Sequence, residues 1–125
     1  MPQNLECPSK RKKVGDGFAW GFSSADAAQA AKDQAEADAK TNAQNKGGAQ
    51  AKRDFECGHY CDLKYDIVIT STKSAAYQAD PGGPHTQFIA LAVVDYDLYA
   101  WCEETRDAAL QLMKAFEKMS GGNPR

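Results

Sequence analysis

Large aliphatic side chains are scarce in this chain of 125 residues. Leu and Ile are few, alanine supplies most of the apolar content, and the core is expected to be thin. No apolar run approaches the roughly 18–20 residues that a membrane-spanning helix needs. The opening segment MPQNLECPSK is polar from its second residue, so no signal peptide is read there. That leaves two readings, a cytoplasmic chain or a mature secreted form given a new Met1. The formal charge of −2 is too small to imply nucleic acid or an anionic membrane as an obligate partner. Only two histidines are present, His59 and His85, which leaves little for acid–base or metal chemistry. No internal repeat and no second domain are read in these residues. By length the chain is one domain, 1–125, with an irregular arm over 1–13 and a flexible tail over 120–125.

Most of what is present is organised around Thr86–Cys102, TQFIALAVVDYDLYAWC. Phe88–Val94 is apolar at every position, as expected for a strand in the middle of a sheet. Val14–Phe22 alternates: Phe18, Trp20 and Phe22 share one parity, and Gly15, Gly17, Ala19 and Gly21 share the other. From Ala25 to about Asn45 the residues are strong helix formers without Gly or Pro. Ser23 or Ser24 is the expected cap, with Asp26 in the first turn. Gly47-Gly48 is the expected stop. Ala28, Ala31, Ala35 and Ala39 form a small-residue stripe, expected to pack on the aromatic face of the first strand, because large and small positions interdigitate. Ala49–Glu56 reads as a polar connector with some helical character. Leu63–Lys73 reads as a second strand, with Tyr65, Ile67 and Ile69 on one face and Val68 and Thr70 on the other. Asp80–Pro84 reads as a turn. A last helix is expected after Thr105, with Ala109, Leu112, Met113 and Phe116 as its apolar stripe.

The expected fold is α+β, a two-layer sandwich with element order β-α-β-β-α. Its three-stranded antiparallel sheet runs first-third-second strand, and both helices lie on one face. Apolar residues on both faces of the central strand then leave an exposed patch, which marks an interaction site unless the arm or the connector folds over it.

The chemistry-bearing patterns are thin. Gly15-x-Gly17-x-x-x-Gly21 partly matches a dinucleotide-binding turn, but KRKK precedes it where an apolar strand is required. The basic cluster Lys10–Lys13 lacks the interleaved aromatics of a single-strand binder and reads as a solvated charge run. Asp95 and Asp97 share a strand face as a possible cation or acid pair, or simply a solvated strand end. Cys57 or Cys61 with His59 is a conceivable thiol site, set against three further cysteines that would oxidise with it. No catalytic residues and no cofactor are assigned.

The four cysteines are expected to converge at one end of the sheet, with Cys102 opposite about Leu63. Register favours Cys61–Cys102, leaving Cys7–Cys57. The alternative is a zinc site of Cys7, Cys57, Cys61 and Cys102. The function read from these features is a small, non-catalytic, extracytoplasmic binding or structural domain. Its expected partner is a protein, or a second copy in a two-fold dimer, on the open sheet face; no nucleic acid and no membrane span are expected. The alternatives are a zinc-stabilised intracellular interaction module and a small thiol-dependent enzyme.

Overall fold

The computed structural model describes residues 2–79, 87–105, 110 and 113–117. Its elements are β1 (Gln3–Leu5), β2 (Lys12–Ala25), α1 (Ala28–Asp54), β3 (Phe55–Cys57), β4 (Cys61–Gln78) and β5 (Phe88–Glu104). The class is α+β. Two short strands that the sequence reading lacks change the strand set. The order is β2-β5-β4 in a three-stranded antiparallel sheet, not the three-strand numbering expected, and β1 and β3 form a separate parallel pair. The arm is therefore not irregular throughout. Gln3–Leu5 pairs with Phe55–Cys57, and Ser9 exchanges backbone and hydroxyl hydrogen bonds with Cys102.

β5 is central, and its alternation decides the architecture. Ala90, Ala92, Val94, Tyr96, Leu98, Ala100 and Cys102 are buried, while the odd positions between them are half-buried or exposed. One face of the sheet is thus covered and the other open. The cover is α1, which contacts β2, β5 and β4.

α1 does not stop at Gly47-Gly48; it runs 27 residues to Asp54, about 40 Å at 1.5 Å per residue. Its N-cap is Ala27, without a side-chain cap, and Ser23 instead donates to Gln34 Oε1 at 2.8 Å. The buried stripe is Ala31, Ala35, Ala39, Ala43, Gly47 and Ala51. A strict four-residue repeat overshoots one turn by about 40° at each step. The stripe therefore winds around the helix, as contact with a twisted sheet requires. The two glycines are helical because aromatic and branched side chains cross the helix there. A Cβ on Gly47 would lie 2.6 Å from Ile67 Cγ1, and one on Gly48 would lie 2.9 Å from the Tyr65 hydroxyl. Close approach overrides glycine's poor propensity.

The packing partner of the stripe is the reverse of that expected. Gly15, Gly17, Ala19 and Gly21, the bare parity of β2, stand opposite Leu98, Tyr96, Val94 and Ala92 and face α1. Small residues pack on small residues. Phe18, Trp20 and Phe22 point to the open face. The glycines thus lie within a strand beneath a helix, not in a nucleotide-binding turn.

Two bulges, at Val14 and Thr70, re-aim the edge strands. On β4, Tyr65, Ile67 and Ile69 share one face, as expected, and that face is the helix side. Beyond the bulge the parity changes, and Ser74 and Ala76 take that side. The last expected helix is helical at Leu110 and 113–117, and these described residues do not join the cover. Leu110, Met113 and Phe116 are all exposed. The Asp80–Pro84 turn, His85, Ala109 and Leu112 lie outside the described residues.

Candidate functional site

The open face of the sheet is assembled level by level from the strand registers. Asp16, Asp97 and Val68 form one row. Phe18, Asp95 and Ser71 form the next, then Trp20, Val93 and Lys73, then Phe22, Leu91 and Ala75. Ser24, Ile89 and Tyr77 form the last. The face therefore has an acidic end and an apolar end. On the apolar end Phe18 is 49% exposed, Trp20 58%, Phe22 57%, Leu91 44% and Tyr77 54%. Scattered surface hydrophobics are ordinary, but five contiguous ones on a single sheet face are not.

The acidic end is internally compensated. Lys13 reaches Asp97 at 3.1 Å, and that carboxylate holds the Lys13 ammonium above its ordinary pKa by hydrogen bond and charge. Ser71 donates to Asp95 at 2.6 Å. Arg11 pairs with Asp66 at 2.8 Å and lies 3.9 Å over the Tyr99 ring. Two members of the basic cluster are thus tied to this protein's own acids, and the arm covers Tyr99. It does not reach Trp20. Asp95 and Asp97 share a face as expected, each engaged with a different neighbour.

α1 holds the aromatic strand from its outer edge. Its residues Gln34, Asp38, Asn42 and Lys46 repeat every four positions. Asp38 accepts from the Phe22 amide at 3.0 Å, Asn42 donates to the Trp20 carbonyl at 2.7 Å, and Lys46 donates to the Phe18 carbonyl at 2.6 Å. Lys46 Nζ also lies 4.5 Å from the Phe18 ring centre. Three of the backbone groups that this edge strand would offer to another chain are thus used within the molecule. This polar column runs three residues after each buried alanine. It was legible as a second four-residue repeat and was missed because only the alanines were followed. On the opposite edge, Gln44 donates to the Ile67 carbonyl at 3.4 Å. Beyond the bulge, β4 has β5 as its one strand neighbour among the described residues.

The cysteines meet at the far end of the sheet. Leu63 stands opposite Cys102, as expected. The pairing differs from expectation: Cys7 joins Cys61 and Cys57 joins Cys102, with Cα separations of 6.4 and 5.9 Å. The reason is the unexpected β1–β3 pair. It lies over this end of the sheet, burying Leu5 and Phe55 with Ala100 and Cys102. Cys57 thereby lies against Cys102, while Cys61, opposite Glu104, lies two positions further along and meets the arm at Cys7. All four cysteines are in disulfides, so none is held as a thiolate. A zinc site on Cys7, Cys57, Cys61 and Cys102 would require both bridges to be reduced. Cys57 and His59 do not share a strand face: β3 ends at Cys57, and His59 is exposed in the following loop.

Comparisons with protein families, curated proteins and solved structures find no match to this chain. No helix among the described residues is long and apolar enough to cross a membrane.

Proposed function

We propose that this protein is a small, non-catalytic, extracytoplasmic binding domain and that the open sheet face is its binding surface. The observation that carries this reading is the row Phe18, Trp20 and Phe22, each about half exposed on a rigid strand whose outer edge is clamped by α1. Aromatic side chains supply large contact area at low conformational cost, and a clamped strand presents them pre-organised. The two disulfides support an oxidising compartment. They weigh against the zinc-module and thiol-enzyme alternatives, both of which need thiolates.

The test is a photo-activatable amino acid at Phe22 in the exported full-length chain, with a matched probe at exposed Lys40 on α1 as control. Discrete adducts at Phe22 that are lacking at Lys40 are expected. Equal or no adducts at the two positions would contradict the assignment of the face.

A further inference from the structure

The face is uneven, and its unevenness points to an occupant. Along the β2 side runs a ridge of large rings, Phe18, Trp20 and Phe22. Along the β4 side, on the same three levels, stand Ser71, Lys73 and Ala75. Between them lies a shallow depression lined by Trp20, Lys73, Ala75, Leu91 and Val93. Ridge and trough are parallel, one strand apart from β5 on either side.

We infer that this face mates with the same face of a second copy of the chain, about a two-fold axis running along β5. The inference rests on the reading of the face as a binding surface. That rotation exchanges the β2 and β4 sides. Each ridge then enters the other copy's trough, with Phe22 over Ala75 and Trp20 over Lys73. Large meets small where Phe22 covers Ala75 and Phe18 covers Ser71, and between them the ammonium of Lys73 meets the best cation–π acceptor among side chains. A two-fold contact requires such self-complementarity of one patch. The opposite choice, an axis across the strands, would set ridge on ridge and Lys73 on Lys73. Packed sheets cross at about 30°. Pivoting at Leu91 and Val93, that angle carries the acidic ends at Asp97 away from each other.

The area is also sufficient. Four aromatic residues, each about half exposed, contribute on the order of 400 Å². Leu91, Val93, Ile89, Lys73 and Ala75 extend this towards the roughly 800 Å² per partner of a standard interface.

The experiment is sedimentation velocity on the full chain with its disulfides intact, from micromolar to millimolar concentration. Trp20→Glu and Ala75→Trp are run alongside, the first removing the ridge and the second filling the trough. Both positions face solvent in the monomer, and circular dichroism with disulfide mapping verifies that each variant is folded. The expected result is a reversible dimer, weakened roughly thirty-fold or more by Trp20→Glu, the loss typical of a central tryptophan anchor, and weakened also by Ala75→Trp. A wild type that stays monomeric at millimolar concentration overturns the inference, as does a dimer that neither variant weakens. The Phe22 photoprobe separates the two readings. A monomer that still gives Phe22 adducts with another molecule removes the self-pairing and leaves the binding face. A monomer without such adducts removes both.

Discussion

Gly21 lies directly beneath Ala39: a Cβ built on the glycine would come 2.8 Å from Ala39 Cα, with the backbone of Ala35 closer still. The obstacle on the helix side is main chain, which cannot swing aside as a side-chain terminus can. Gly21→Ala is therefore expected to destabilise by about 1–3 kcal/mol or more through overpacking. Urea unfolding of the two proteins side by side measures it. A neutral result would mean that β2 and α1 are further apart than described.

Gly47 carries the complementary prediction. In an exposed helix, Gly→Ala gains about 1 kcal/mol. Here the added methyl meets Ile67 at 2.6 Å, and Tyr96 stands behind it at 3.4 Å. Gly47→Ala should lose stability despite the better propensity, and it should cost less in an Ile67→Ala background, where the Cγ1 that the methyl meets is gone. Thermal melts of the four-member cycle give the coupling directly.

The two disulfides close sequence separations of 54 and 45 residues, so their chain-entropy contributions are nearly equal. Each should contribute about 2–4 kcal/mol. The difference lies in burial, because Cys102 is fully buried and Cys7 and Cys61 are not. Replacing Cys57 and Cys102 by serine is expected to cost more than replacing Cys7 and Cys61, since it leaves a hydroxyl in the small apolar cluster. Non-reducing peptide mapping should return Cys7–Cys61 and Cys57–Cys102; a Cys61–Cys102 peptide would contradict the placement of β1 and β3.

Alkaline pH should destabilise the fold. Burial pushes the Tyr96 phenol above its ordinary 10.0, and Asp97 holds Lys13 above 10.5. For a group whose folded pKa is raised, the contribution is complete below the unfolded value and is lost as pH rises through the folded one. Stability should therefore be insensitive to these two groups near neutrality and should fall above about pH 10. Tyr96→Phe should flatten that fall. At neutral pH the same variant loses the Tyr96–Gln50 hydrogen bond of 3.1 Å, worth about 0.5–1.5 kcal/mol. Equilibrium unfolding at pH 7 and above pH 10 separates the two effects.

Long-period features were legible in the chain. The run Phe88–Val94 marked the central strand, the alanine repeat marked the helix, and turn-centred register put Cys102 opposite Leu63. What was not legible depended on choosing between two faces. Alternation in Val14–Phe22 separates aromatics from glycines but does not say which set meets the helix. Interdigitation favoured the aromatics. The glycines prevailed because Tyr96, Ile67 and Tyr65 already occupy the layer, leaving room for a bare strand only. Gly47-Gly48 failed as a stop for the same reason: those side chains cross the helix from strands distant in sequence. The disulfide pairing failed because three residues of the arm, Gln3–Leu5, pair with three after the helix, too short a match to stand out from loop composition.

The outward orientation of the aromatic row is the central structural claim, and one measurement tests it most directly. Phe18, Trp20 and Phe22 are replaced by serine singly and together, and unfolding in urea is followed at a dilution where sedimentation shows the wild type to be monomeric. With the rings about half exposed, each single change should cost no more than about 1.5 kcal/mol, and the triple variant should fold with both disulfides formed. A loss of about 3–5 kcal/mol at any one of the three, the cost of emptying an aromatic site in a core, would show that the row packs inward, and the binding face would not exist.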